Sequence, residues 1–356
     1  MVTEELRETV EFDRKRPDIY GDVHPKELIQ SIQENPDALT GLDSQHIMSA
    51  KQFNKDMLLQ LFRLAARFEA NPKRYSNPLK GKILISAFYE PSTRTRLSFE
   101  SAWHRMGGDI MSITDRATTG MAKGEALSDI GEMFNNYGDC VVLRDVNSGS
   151  VYQMAQSLRI PIINAGNGVD EHPTQALADL YTILKWRPAL VNEDCEKIRI
   201  GIVGLPNRMR TVRSLLIMLG HFSHAFEEVV VIHDGKRQTL FADGQLEDLQ
   251  ERGLNVRESV HLREELPQLD VVYINAIVWE KDNYQVMNDR FRLDRTSPLK
   301  DSAIVLHPLA RGDELDTSLD DTHHNWYFAQ ARGAVFVRQA LLTCLVQRTD
   351  RVMDII

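Results

Sequence analysis

A chain of 356 residues, 42% of them hydrophobic, holds enough apolar material for two domains of ordinary size. Its formal net charge of −9 argues against general binding to nucleic acid or to an acidic membrane surface, while leaving room for a local basic pocket. Cys140, Cys195 and Cys344 have neither CxxC nor Cys/His spacing, so no zinc site or disulfide framework is expected. With no signal peptide and no run of membrane-spanning length, a cytoplasmic setting is expected.

Residues 1–40 are highly charged, broken by Pro17, Pro25 and Pro36, and show little apolar periodicity. They read as an extension, disordered in part or packed on the surface. Met57, Leu58, Leu61, Leu64, Ala65 and Phe68 recur at helical spacing and predict a helix over 54–69, ended by Asn71-Pro72. From Lys82 the chain alternates. Lys82-Ile83-Leu84-Ile85-Ser86-Ala87-Phe88 is β-branched and apolar, and predicts a buried strand. Leu97, Phe99, Ala102 and Met106 mark a helix that stops at Gly107-Gly108. Strands follow over 109–113, 139–144 and 161–164, with helices over 124–137, 150–158 and 174–186.

The rhythm restarts after a loop at 188–196. Strands are predicted over 198–203, 228–232, 270–274 and 303–306, with helices over 211–222 and near 245–252, and an apolar terminal helix over 335–346. The pattern implies two α/β domains with mostly parallel, doubly wound sheets, joined near 182–196. In such sheets ligands collect at the carboxyl ends of the strands. Glu90 to Arg96, Arg144, His172, Arg210 and His307 all fall at such ends. Gly201-Ile202-Val203-Gly204-Leu205-Pro206 lacks the full GxGxxG spacing of a dinucleotide turn.

Between the first strand and its helix lies Glu90-Pro91-Ser92-Thr93-Arg94-Thr95-Arg96. A helix N-terminus already favours an anion, and hydroxyl donors with arginine forks suit a phosphate. Simple capping by Ser92 or Thr93 with two solvated arginines is the blander explanation, and five such side chains in sequence make it the weaker one. Other candidates are ambiguous when taken singly. Lys123 in Lys123-Gly124-Glu125 reads equally as a surface charge, and Arg144 as a sheet-edge arginine. His172 before a helix reads as a cap, Arg210-Thr211 as an ordinary helix start, and His307-Pro308-Leu309-Ala310-Arg311 as a rigid turn. On the His172-Pro173-Thr174-Gln175 loop, an imidazole suited to polarising a carbonyl stands near an amide suited to gripping another.

In this order the pieces resemble aspartate and ornithine carbamoyltransferases, and from Gly41 to Val346 the chain resembles the aspartate branch. His324-Asn325-Trp326-Tyr327-Phe328 and Phe336-Val337-Arg338-Gln339-Ala340-Leu341 strengthen that choice. The resemblance implies a carbamoyl-phosphate domain over 41–185, an acceptor domain over 186–330, and a C-terminal helix, 334–350, packed back on the first. It implies that Ser92, Thr93, Arg94 and Thr95 hold the phosphate of carbamoyl phosphate, that Arg144 bridges phosphate and carbonyl oxygen, and that Thr95 and His172 face that oxygen. Gln175, with the carbonyls of Pro308 and Leu309, would hold the carbamoyl NH2. Arg210, beside Thr211, would take the α-carboxylate of an amino-acid acceptor. The loop with Thr119 and Lys123 would enter a neighbouring subunit's site, giving a homotrimer with shared active sites. Neither metal nor cofactor is implied, and no nucleic acid or membrane partner.

The resemblance breaks in the acceptor pocket. After the strand at 270–274 the family places an arginine and, two residues later, a glutamine; here those positions are Ala276 and Val278. No arginine lies between Arg263 and Arg290. A methyl group cannot replace a bidentate arginine–carboxylate contact. Gly204-Leu205-Pro206-Asn207 also lacks the acidic residue expected after the glycine. The reading is a carbamoyltransferase with a changed or relaxed acceptor preference; Lys281 or another arginine swinging in would instead restore aspartate binding. An aspartate carbamoyltransferase of pyrimidine biosynthesis using other contacts, or a catalytically silent homologue that binds carbamoyl phosphate, are the alternatives.

Overall fold

Two parallel sheets organise the chain, and all but one of their strands, the edge strand Val256–Ser259, form where the apolar runs predict. The computed structural model describes residues 23–72, 77–236, 239–275 and 290–347. The first sheet contains β1 (Ile83–Phe88), β2 (Asp109–Ile113), β3 (Cys140–Asp145) and β4 (Ile162–Asn167), in the order β2-β1-β3-β4. The second contains β5 (Ile198–Val203), β6 (Phe226–Ile232), β7 (Val256–Ser259), β8 (Val271–Ile274) and β9 (Ile304–Leu306), in the order β7-β6-β5-β8-β9. All pairings are parallel, as doubly wound α/β domains require.

Helices cover both faces of the first sheet. Along β1, Leu84 and Phe88 face one core while Ile85 and Ala87 face another, the period-two alternation of a strand buried on both sides. The smaller core closes under α4 (Leu127–Tyr137) and α5 (Ser150–Ala155). The larger lies under α2 (Lys55–Ala70), α3 (Thr93–Arg105) and α6 (Pro173–Trp186) and runs on through α7 (Arg210–Leu219) into the second sheet. The last helix, α10 (Tyr327–Val346), returns to pack on α2, α3 and α6, as expected of a C-terminal helix folded back on the first domain. The second domain also carries α8 (Gln245–Glu251) and the short α9 (Leu262–Glu265).

Two expectations need correction. The segment before Thr40 is not merely peripheral. Helix α1 (Val23–Ser31) and a 3-10 turn, Pro36–Leu42, bury Leu28, Ile32, Leu39 and Leu42 in the larger core. The spacing Leu28/Ile32 and Leu39/Leu42 is one helical face each, too short to show as periodicity among the charges and prolines. Helix α10 also starts at Tyr327, ahead of the expected 334–335. Arg332-Gly333 looks like a break in the sequence, yet Gly333 lies within the helix. A Cβ there would stand 3.1 Å from the Tyr181 ring, so the glycine lets α10 approach α6 closely.

Each sheet reverses its winding once, between β1 and β3 in the first and between β5 and β8 in the second. Such switch points leave a crevice at the carboxyl ends of the strands. Both crevices open on one cavity.

Candidate active site

The cavity has a volume of about 530 Å³, and its wall includes Ser92, Thr93, Arg94, Thr95, Arg144, His172, Gln175, Arg210, Thr211, Pro308 and Leu309. Eleven of the side chains singled out from sequence thus come together from both domains. Thr119 and Lys123 do not line it; they sit on 3-10 turns beyond β2, and Lys123 is exposed. Ala276 and Val278 lie outside the described residues.

At the start of α3, Ser92 occupies the N-cap position in an extended conformation, but its hydroxyl makes no capping bond. The hydroxyl and the first-turn N–H groups therefore remain for an anion. Arg94 faces the cavity, and its partial burial lowers its pKa. Arg96 does not: it pairs with Glu100 at 3.4 Å along the helix.

Strand pairing brings the cradle to Arg144. Phe88 stands opposite Arg144 in the register, and the Tyr89 N–H donates to the Arg144 carbonyl at 2.9 Å. The Arg144 guanidinium donates to Glu90 at 2.8 Å. Arg210, from the second domain, donates to both oxygens of the same carboxylate, at 3.1 and 3.3 Å, and to the Gly168 carbonyl. Burial pushes the Glu90 carboxyl up, but the Arg210 hydrogen bonds and the two guanidinium charges outweigh it and hold it below the usual range.

Gly166 makes room for this arrangement. It adopts φ +109°, and a Cβ there would stand 3.2 Å from Arg210 Cζ and 3.3 Å from His172 Cδ2. His172 is buried at the start of α6, with its backbone N–H donating to Ser214 Oγ at 3.1 Å and its Nδ1 unpartnered among the described residues. Burial drives its pKa well below 6.5, and Arg144, Arg210 and Arg338 push the same way, so the ring is a neutral imidazole near pH 7. Glu171 braces the loop by accepting from the Ala50 N–H at 2.8 Å and from Ser214 Oγ at 3.1 Å.

On the opposite wall, the Leu309 N–H donates to His307 Nδ1 at 2.7 Å. The proton of His307 is therefore on Nε2, which donates to Glu314 at 2.9 Å. Glu314 also accepts from the Gly312 N–H at 2.7 Å, so a buried imidazole–carboxylate pair shapes the turn carrying Pro308 and Leu309. Thr211 accepts from Asn275 Nδ2 at 3.1 Å, tying the start of α7 to the end of β8.

Sequence reasoning missed several wall residues, among them Gly168, Val169, Leu205, Met209 and Arg208. Arg208 is exposed at the end of the 3-10 turn Pro206–Arg208, with no ion-pair partner among the described residues. Its position in a loop rich in turn residues gave no local signal. Among the described wall residues, four arginines (Arg94, Arg144, Arg208 and Arg210) face a single carboxylate, Glu90. A cavity so balanced suits multiply charged anions.

Comparison with known proteins agrees with this geometry. The model of the aspartate/ornithine carbamoyltransferase carbamoyl-P binding domain matches residues 45–185, and that of the Asp/Orn binding domain matches residues 196–345. The aspartate carbamoyltransferase catalytic subunit of Thermococcus onnurineus is 36% identical over 304 residues, covering 83% of this chain and 95% of its own. That of Clostridium novyi is 34% identical over 307 residues, covering 85% and 97%. The aspartate transcarbamoylase of Trypanosoma cruzi, solved with carbamoyl phosphate and aspartate, superposes with a TM-score of 0.78 at 31% identity, over 86% of this chain and 97% of that one. With the motifs, the two sheets and the matches all in register, the chain belongs to the aspartate/ornithine carbamoyltransferase family, on its aspartate carbamoyltransferase branch, and is a carbamoyltransferase.

Proposed function

We propose that the cavity transfers the carbamoyl group of carbamoyl phosphate to the amine of an acceptor bearing an α-carboxylate, and that recognition of the acceptor's side chain is altered. The convergence of Arg94, Arg144, His172 and Arg210 on one cavity carries this reading. In it the first domain, over 41–185, binds the donor and the second, over 186–330, binds the acceptor. Ser92, Thr93, Arg94 and Thr95 hold the phosphate. Arg144, Thr95 and neutral His172 face the carbonyl oxygen, and Gln175 with the Pro308 and Leu309 carbonyls receives the NH2. Arg210, beside Thr211, takes the α-carboxylate.

The neutral amine attacks the carbamoyl carbon, and the electron pair of the C=O bond moves onto oxygen. Preorganised donors stabilise that developing charge, each worth roughly 3 kcal/mol of barrier. The intermediate collapses, the C–O bond to phosphorus's oxygen breaks, and phosphate leaves with the bonding pair. The departing phosphate accepts the amine proton. No covalent enzyme intermediate is required, and proximity comes from holding both substrates between the domains.

The altered acceptor reading rests on the sequence, where Ala276 and Val278 stand in place of arginine and glutamine. An acceptor with an amide, amine or apolar side chain fits that change. A second reading, aspartate itself, is favoured by one observation: Arg208 offers a guanidinium without an ion-pair partner among the described residues on the wall of the acceptor half. Phosphate release measured against a panel of amino acids and diamines separates the two. Saturable turnover with aspartate at ordinary concentrations supports the second reading and defeats the first. Carbamoyl-phosphate binding without turnover of any acceptor defeats both, in favour of a silent homologue.

The reading includes a homotrimer in a cytoplasmic setting. It is supported by Thr119 and Lys123 standing apart from the cavity of their own chain. Among the described residues no helix is long and apolar enough to cross a membrane.

A further inference from the structure

Gln175 lines the cavity, yet one end of its side chain is already committed. Its Nε2 donates to Asp179 Oδ1 at 2.7 Å, one helical turn further along α6. Asp179 is fully buried and is reached by two more donors. Gln330 Nε2, on α10, lies 2.6 Å from the same Oδ1, and the Tyr273 hydroxyl, on β8, lies 3.0 Å from Oδ2. Gln330 cannot turn around, because its Oε1 accepts the His307 N–H at 2.9 Å. Oδ1 must therefore accept from both amides.

We propose that Asp179 is a positioning residue that fixes which end of the Gln175 amide faces the cavity, and so makes the site select a carbamoyl NH2 over an apolar acyl group. The two ends of a glutamine amide have nearly the same shape, so packing alone does not choose between them. Burial pushes the Asp179 carboxyl up to about 7, and above that pH the ionised group accepts hydrogen bonds and cannot donate. It takes the NH2 end of Gln175 and leaves Oε1, which makes no hydrogen bond to the described residues, as the acceptor presented inward. A carbamoyl NH2 is a donor and matches it. The methyl of an acetyl group leaves that oxygen unpaired, and a site built around a buried polar group rejects an analogue lacking the partner. A reversed Gln175 would set donor against donor and lose the distinction. The same carboxylate bonds to β8 of the second domain, so the donor-reading amide and the strand that leads to the acceptor loop share one anchor.

This inference rests on the proposed donor, and the test separates the two. The full-length chain and its variants are assayed for the KM of carbamoyl phosphate and for competitive inhibition by acetyl phosphate and by inorganic phosphate. Asp179→Asn keeps an oxygen for the two amides and turns its NH2 to the Tyr273 hydroxyl, so it retains the preference for carbamoyl over acetyl phosphate to within about threefold. Asp179→Ala removes the acceptor and lowers that preference by about tenfold or more, with the inorganic phosphate inhibition constant little changed. Asp179→Ser takes its place if circular dichroism shows the alanine variant unfolded. Loss of the preference in the asparagine variant overturns the proposal, as does an unchanged preference in a folded alanine or serine variant. If the unaltered chain fails to bind carbamoyl phosphate, the donor assignment falls and this inference with it.

Discussion

Glu90 and Arg210 lie 120 residues apart in the chain, yet the carboxylate of one accepts two hydrogen bonds from the guanidinium of the other across the facing ends of the two sheets. The same carboxylate holds Arg144, so one acidic residue sets the positions of one cation from each domain. Glu90→Gln keeps the shape and removes the charge. It is expected to lower kcat/KM by about 10- to 100-fold, the scale of one or two charge-assisted hydrogen bonds. Steady-state kinetics with both substrates varied would show the loss in each KM; an effect confined to one substrate contradicts a shared anchor.

Arg94→Ala is expected to lower turnover by at least about 100- to 1,000-fold, since it deletes a cation from the phosphate cradle. Lys123→Ala should be equally inactive, although Lys123 lies away from its own chain's cavity. Mixing the two inactive proteins under conditions that exchange subunits should restore part of the activity, as some sites then receive both native residues. No recovery in mixtures shown by native mass spectrometry to be hybrid rules out shared sites.

Arg208→Ala tests the acceptor. If the acceptor is a dicarboxylate, its KM should rise by about tenfold or more, the value of a lost charge-assisted contact, while that of carbamoyl phosphate stays constant. If the acceptor's side chain is uncharged, neither KM should move.

His172 carries the clearest pH signature. Its pKa in the folded chain lies well below the ordinary 6.5 because the buried ring resists protonation among cations. The unfolded chain then binds more protons, so stability rises with pH between the folded-state value and 6.5 and is lost as pH falls through that window. His172→Gln removes this component, flattening the acid side of a denaturation profile taken from pH 7 downward, while costing turnover. An NMR titration of the imidazole with a midpoint at or above 6.5 would contradict the assignment.

The pair Lys185–Glu69 is buried on both sides, at 2.9 Å, and Glu69 also accepts from the Tyr181 hydroxyl at 2.7 Å. Removing one partner leaves a buried charge alone. Glu69→Leu is expected to cost about 3–5 kcal/mol in urea unfolding, and the double variant Glu69→Leu with Lys185→Met much less, because the pair's attraction barely exceeds its desolvation. Equal losses in both would contradict this.

What could be read from the sequence was local. Buried parallel strands are continuous apolar runs, so β1, β3 and β5 are plain in the residues. β7, Val-Arg-Glu-Ser at a sheet edge, has no such run and was missed. The polar run at the start of α3 is contiguous and legible, and so are the side chains at strand ends. The partners of those side chains were not: Glu90 lay inside the motif without a visible role, because Arg144 and Arg210 reach it only once both sheets exist. Asp179 reads as one polar residue of an amphipathic helix until α10 and β8 close over it. Ala276 and Val278 lie outside the described residues, and no local pattern marks Arg208 as part of the cavity wall.

Helix α10 begins beside the second sheet, where Trp326 N–H donates to the Val305 carbonyl, and packs along α2, α3 and α6 of the first domain. During synthesis, the first sheet therefore emerges before the second, yet the larger core lacks Phe336, Leu341 and Leu345 until α10 has been made. A nascent chain stopped after the second sheet would expose the apolar surfaces of α2, α3 and α6. Completion of the first domain waits on a helix made after the second sheet, so a copy terminated before α10 is a substrate for chaperones and proteases rather than a working half-enzyme.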